Sequence, residues 1–369
     1  MKLLTRTIIV SVVMLMLFGG VLVFSASGTY SQVKFNDFYY LFNSHLWKIF
    51  AAIGVMIIFA LIPYEYYKKY SKQAILGIVV LLLITLFLAP KVKGAARWID
   101  LGFIQFQPSD LAKIILIMHL AVLIEKKYEI IHDFKNGLIY LLFWVFLISG
   151  LVLVQPNFST SMIIILTSFT LLYVGGARFK HIAFTLGGAA TVGFAMMMLF
   201  SHSRERIIGF ANSLFNGESM NVQVFQAKVA LGSGGLIGKG MGNSRQSDLF
   251  LPESYGDFIF SILGEEYGFV GAILTLMVYL AIFFAGLVIA KKATDKFGQL
   301  LAFGLSFNII ISAFINAGVV SGLLPTTGIT LPFISFGGTS IIMFGMSVGI
   351  ILSIAYETIR KRELRMAQV

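Results

Sequence analysis

From Phe297 to Tyr356 the chain runs for 60 residues without an aspartate, glutamate, lysine or arginine. A soluble helix of that composition would turn an apolar face to water all round. A bilayer accepts it, and a crossing needs ~20 mainly apolar residues. The block holds two crossings, divided by Asn316–Pro332, which is rich in glycine, proline and threonine. Further uncharged runs are Ile8–Phe24, Ile49–Tyr64, Gln73–Pro90, Asn136–Gln155, Phe158–Ala177, Ile182–Phe200 and Tyr267–Ala290. Pro108–Ile124 is one more, with Asp110 and Lys113 at its head. Over 369 residues, 58% are hydrophobic and 12% charged, against ~25% charged in a soluble domain. A soluble enzyme, a secreted domain, a disordered chain and a transcription factor are excluded.

The expected fold is an all-α polytopic membrane protein with ten transmembrane helices. It forms a single domain over 1–369, with a large extracytoplasmic loop, 201–266, between helices 7 and 8. The first run follows Lys2 and Arg6 and precedes Ser25-Ala26-Ser27. Its 17 residues exceed the ~7–15 of a signal peptide's apolar region, so it reads as a retained helix. The net charge of +11 reflects basic residues held in cytoplasmic loops rather than a nucleic-acid partner. With the N-terminus inside, 17 of the 28 lysines and arginines fall on inner segments, so both termini are expected in the cytoplasm. There is no cysteine, which excludes disulfides, thiolate zinc sites and thiol catalysis.

Three outer stretches are unlike inert connectors: Lys91–Lys113, Ser201–Glu266 and the uncharged Gly318–Gly338. Irregular backbone at membrane depth persists only where protein buries it or it lines a watery cavity. A functional cavity is therefore expected on this face. Within it, Pro252 favours a helix start, which would set Glu253 and Asp257 on one face, four residues apart. Neighbouring carboxylates push one pKa upward, which suits a general base. In the competing structural reading Glu253 complements a helix dipole and Asp257 caps the next helix. Glu265 and Glu266, just before an apolar run, read as structural.

Arg97, Trp98, Lys113, Arg204 and Arg206 cluster toward the outer surface in this topology. Arginine grips phosphate with a two-pronged fork and lysine acts as a point charge. Together they suit a lipid pyrophosphate, while singly each also suits snorkelling to headgroups. Gly232–Gly242 carries six glycines in eleven residues, but Gly240 follows Gly238-Lys239 where a P-loop needs Ser or Thr. It reads as a tight re-entrant turn, and ATP or nucleotide use has no support. His45, His119, His132, His181 and His202 lack metal-ligand spacing, so no metal residue is assigned; a divalent cation is compatible with the chemistry but no ligand cluster is legible.

Lys93-Gly94-Ala95-Ala96-Arg97-Trp98-Ile99-Asp100-Leu101-Gly102 and Phe106-Gln107-Pro108-Ser109-Asp110-Leu111-Ala112-Lys113 resemble motifs of the SEDS family (shape, elongation, division and sporulation). So do Gln155-Pro156-Asn157-Phe158-Ser159-Thr160, Ala230–Gly242, Leu251–Phe260 through Gly264-Glu265-Glu266, and Asn316–Gly338 with Leu331-Pro332-Phe333-Ile334-Ser335-Phe336-Gly337-Gly338. The resemblance implies a ten-helix peptidoglycan glycosyltransferase. It would polymerise lipid II, an undecaprenyl-pyrophosphate-linked disaccharide-pentapeptide, at the outer face of the bacterial cytoplasmic membrane. It also implies a class B penicillin-binding protein and other divisome proteins as partners, and Asp257 as the catalytic aspartate. Arg97, Trp98, Lys113, Gln155, Arg204, Arg206, Glu253 and Ser335 are the expected substrate-binding residues. Gly240-Met241-Gly242-Asn243-Ser244-Arg245-Gln246 is closer to the division (FtsW) branch than to the elongation (RodA) branch, which favours the division septum. A lipid II flippase, an elongation-type (RodA) polymerase of the same family and a non-catalytic scaffold that recruits a penicillin-binding protein are the rival readings. Asn157 stands where the family often has Asp, Asp110 where Glu is commoner, Ala227 where Ser is common, and Phe336 where Tyr is common.

Overall fold

A computed structural model describes residues 1–89, 97–100, 102, 105–215, 221–247 and 250–367. Lys93–Ala96 and Leu101 of the first family motif lie outside the described residues. The described residues form twelve α-helices: α1 (Lys2–Phe35), α2 (Tyr40–Leu61), α3 (Tyr64–Leu88), α4 (Pro108–Lys126), α5 (Ile139–Val154), α6 (Phe158–Val174), α7 (Phe179–Leu199), α8 (Ser201–Phe215), α9 (Val222–Gly234), α10 (Ile259–Lys292), α11 (Lys296–Val320) and α12 (Ser340–Ala367). A short hairpin pairs Ile99 with Phe106 and Asp100 with Gln105 between α3 and α4.

Eight helical segments among the described residues are long and apolar enough to cross a membrane, and the chain is a multi-pass membrane protein. The other two expected crossings, α4 and α6, are not among the eight. The helix α6 has 17 residues, and α4 carries Asp110, Lys113, Glu125 and Lys126 within 19. Both pack among the others, with α4 against α3, α6 and α11, so neighbours rather than lipid meet their polar groups. By contrast α7 buries only Ile182 and leaves Phe184 and Leu199 open. An apolar surface of that kind fits lipid.

The helices α2 and α12 make the most intimate pairing. A Cβ on Gly345 would lie 2.6 Å from Ala52 O, and one on Gly349 would strike Met56 O. Small residues four apart let two backbones approach, which is how helices associate where water supplies no driving force. Elsewhere α1 packs on α10 and α2, and α10 on α11.

The expected re-entrant turn is present. The helix α10 is broken at Gly268, where φ is 68° and ψ −169°. A break leaves backbone N–H and C=O groups without intrahelical partners. The glycine-rich segment after α9 supplies them. Gly235 O accepts from Phe269 N (2.9 Å) and Leu236 O from Val270 N (3.1 Å). In return Lys239 N donates to Glu265 O and Gly240 N to Glu266 O, each at 3.0 Å. This exchange needs backbones in contact. A Cβ on Gly268 would sit 2.5 Å from Gly238 N, and one on Gly238, at φ 92°, would collide with Glu266 O.

Gly238→Ala is expected to lose more than ~1 kcal/mol, since a left-handed position and a steric clash combine. Gly187→Ala, with open space around it, should be neutral. Thermal unfolding of the two variants in detergent checks this; equal midpoints would contradict it.

Candidate active site

The segment before α10 is a run of turns rather than the helix expected from Pro252. Glu253 takes φ 62°, a left-handed conformation that no α-helix contains. Its carbonyl accepts from Gly256 N (3.0 Å) and Phe258 N (3.4 Å). The turn is held from two sides. Ser254 Oγ donates to Ala26 O of α1 (3.1 Å). The Tyr255 ring packs on Tyr30 (5.2 Å) and Phe336 (5.6 Å), and Phe336 N donates to Tyr255 O (2.9 Å).

These contacts present Asp257 half-buried, two residues ahead of α10. Asn316 Nδ2 of α11 donates to both Asp257 O and Ile329 O at 2.7 Å. This clamps the turn to the irregular segment 321–339. A Cβ on Gly328 would lie 3.2 Å from Asp257 Oδ2, so glycine there keeps the space beside the carboxylate open. Ser159 Oγ ties the same segment to α6 by donating to Thr327 O (2.5 Å). Asn316, Gly328 and Ser159 lie inside the family motifs, but none is among the expected site residues.

Two guanidinium groups share this neighbourhood. Arg97 donates to Gln155 O (3.4 Å) and to Pro156 O. Arg206 of α8 donates to Thr326 O (3.3 Å). Burial lowers the pKa of both, Arg206's charge lowers Arg97 further, and the Asp257 carboxylate pulls Arg206 back up. Both remain cations. The two guanidinium groups are thus partly buried, close enough for their charges to interact, and each donates to backbone carbonyls.

The other expected residues spread more widely. Trp98 packs edge-on against the backbone of Gly338, where a Cβ would be 2.6 Å from its ring. Arg204 is exposed on α8 and Glu253 is exposed on the turn. Lys113 is paired with Asp110 at 2.9 Å and 9% exposed. The void around that pair is lined by Asn308, Ser340 and Ser347, and includes neither Asp257 nor the arginines. Gln155 is buried and donates to Leu82 O (2.9 Å). Ser335 is buried, and its Oγ accepts from Leu331 N (2.8 Å). Gln155 and Ser335 thus hold backbone. Asn157, where the family often has Asp, caps α6 by accepting from Thr160 N, a task Asn and Asp share. Phe336, where Tyr is common, presents its face to the Lys48 ammonium at 3.7 Å. Among the described residues no group of three or more imidazoles and carboxylates is placed to hold a metal ion.

Glu265 and Glu266 are structural, though not as dipole partners. Glu265, 1% exposed, accepts from Lys239 Nζ (2.6 Å), Ser244 Oγ (2.6 Å), Ser233 Oγ (3.2 Å) and the N–H groups of Arg245 and Gln246 (both 3.3 Å). Glu266 accepts from Gly242 N (3.1 Å) and from Ser25 Oγ of α1. They pin the glycine-rich segment beneath the Asp257 turn. Losing the Glu265 carboxylate leaves five donors without their acceptor, and each one that stays buried and unmet costs about 1–3 kcal/mol. Glu265→Ala should therefore unfold at a much lower temperature than wild type. Lys239→Ala should be milder, because four donors to Glu265 survive and Lys239 itself is 31% exposed. The reverse order in detergent unfolding would contradict this assignment.

The sequence pattern of the FtsW, RodA and SpoVE cell cycle proteins matches residues 5–360. Stage V sporulation protein E of Bacillus subtilis is 35% identical over 353 residues, covering 94% of this chain and 96% of that one. A probable peptidoglycan glycosyltransferase FtsW of Geobacter metallireducens is 35% identical over 351 residues, covering 94% and 93%. The fold is also that of a chain in a peptidoglycan synthase complex that coordinates polymerization and crosslinking. There the TM-score is 0.77 at 22% identity, with 95% and 97% of the two chains covered. The chain therefore belongs to the FtsW, RodA and SpoVE family of cell cycle proteins.

Proposed function

We propose that this protein is a peptidoglycan glycosyltransferase that polymerises lipid II at the outer face of the cytoplasmic membrane, with Asp257 as general base. The observation that carries the reading is a half-exposed carboxylate beside two guanidinium groups drawn largely out of water, in a chain of this family. The names of its relatives supply the reaction class.

In this reaction the C4 hydroxyl oxygen of the acceptor GlcNAc bonds to C1 of the donor MurNAc as the C1–O bond to pyrophosphate breaks. Asp257 takes the hydroxyl proton. The electron pair of the broken bond leaves with undecaprenyl pyrophosphate, and the anomeric centre inverts from α to β. A positioned base contributes about 10²–10⁴-fold. Arg97 and Arg206 meet the charge that gathers on the leaving group, where low dielectric strengthens their pull. Trp98 follows Arg97 in the chain and Arg204 precedes Arg206 by two residues. Glu253, Gln155 and Ser335 shape the site through the turns they hold, and Lys113 acts from its ion pair with Asp110.

Ten crossings, α1–α7 and α10–α12, put both termini in the cytoplasm and the Asp257 turn outside. The opposite end of the bundle is tied together. Lys68 pairs with Glu125 (2.6 Å) and Lys361 with Glu65 (2.6 Å), while Tyr64 donates to Asp295 (2.9 Å). That belt joins α3, α4, α12 and the α10–α11 turn, which favours a site served from one face over a flippase path. The division branch, a septal location and a class B penicillin-binding protein that crosslinks the product complete the proposal.

Purified protein reconstituted with its transpeptidase partner and labelled lipid II tests the reading. Asp257→Asn should reduce glycan synthesis about 10²–10⁴-fold while folding and partner binding stay intact. Polymerisation at the wild-type rate would overturn the assigned base, and lipid translocation without polymer would favour the flippase. A fluorescent protein fused after Val369 should mature and a fused alkaline phosphatase should stay inactive, as a cytoplasmic C-terminus requires.

A further inference from the structure

A cavity adjoins the candidate site, and Arg206 forms part of its wall. It encloses about 300 Å³ between α8, the start of α9 and the segment after α11, the lower end of the ~300–1,000 Å³ typical of ligand pockets. Its walls include Glu205, Arg206, Phe210, Gln223, Pro325 and Thr326. Two features fix its relation to Asp257. Arg206 lines the cavity and also feels the Asp257 charge. The segment that lines the cavity through Thr326 closes on Asp257 at Gly328. Two residues of chain span at most about 7 Å, so the cavity wall at Thr326 and the contact with the Asp257 carboxylate belong to one short stretch of chain.

The lining selects a chemical class. One cation and one carboxylate leave it without net charge, which argues against a second phosphate. Phe210 and Pro325 offer flat apolar surfaces of the kind that pack on the C–H faces of a pyranose. Gln223 and Glu205 offer an amide and a carboxylate to hydroxyl and N-acetyl groups. A lipid tail would leave these polar groups unpaired, at a cost of several kcal/mol each in an apolar setting. We infer that this cavity is a saccharide subsite, which holds the amino sugar of the growing glycan next to the one that reacts at Asp257. The inference rests on the polymerase reading and adds to it a place for the polymer. Holding that sugar between turnovers keeps the chain in register for the next addition, so the subsite sets glycan length.

Saturation-transfer NMR on the full chain in detergent tests this, with the lipid-free GlcNAc–MurNAc disaccharide as probe. Wild type and Asp257→Asn should both bind it. Phe210→Ala and Gln223→Ala should weaken binding at least tenfold, Phe210→Tyr should restore it, and Ile208→Ala, on an exposed position of α8, should leave it unchanged. In reconstituted synthesis Phe210→Ala and Gln223→Ala should give shorter glycans than wild type. Disaccharide binding that survives both substitutions, or displacement by the free stem pentapeptide, would overturn the subsite while leaving the polymerase intact. Binding that depends on Phe210 and Gln223 in a wild-type protein that makes no glycan would uphold the saccharide site and overturn the polymerase.

Discussion

A helix that stops inside a membrane protein must find partners for the peptide groups it leaves open, and water is not there to provide them. The break in α10 at Gly268 is met by the carbonyls of Gly235 and Leu236 and by the N–H groups of Lys239 and Gly240. That exchange brings the segment 235–247 against the first part of α10, where Glu265 and Glu266 fasten it. The Asp257 turn leads directly into this part of α10. Tyr255, Phe336 and Asn316 then set its walls. Fixed donors around a reacting carboxylate need no reorganisation when charge moves.

The fold was legible in hydropathy and the family in its motifs. The helix α4, with Asp110 and Lys113 at its head, is not among the eight apolar segments, and its two charges pair with each other within the bundle. Helix ends were less legible. The helix α2 begins at Tyr40 rather than near Ile49, because its aromatic and polar first turns pack against protein. Phe24 of α1, for instance, meets Phe42 at 5.2 Å. The glycine-rich turn was readable as a close approach of backbones, since glycine is the residue that permits one. What it approached was not readable, because Gly238 and Glu266 meet only through the tertiary fold.

The site divides along the same line. Asp257, Arg97 and Arg206 were visible as charges where an apolar chain has few, and the fold brings them into one neighbourhood. The helix expected at Pro252 does not form. Local propensity gives way to the ties from Ser254 to α1 and from Tyr255 to Phe336, which require Glu253 to turn left-handed. Gln155 and Ser335 read as substrate-binding because they are polar residues in outer motifs. The structure adds that each also pairs with a backbone group, which no local pattern reveals. The short polar residues of irregular membrane segments serve the backbone first.

The absence of cysteine from the sequence makes the central claim directly measurable. A single Asp257→Cys substitution places one thiol where the carboxylate stands. In intact spheroplasts a membrane-impermeant maleimide should label it from outside, and added lipid II should protect it. Labelling only after the membrane is opened, or equal labelling with and without lipid II, would contradict an outward-facing carboxylate at the point of sugar transfer.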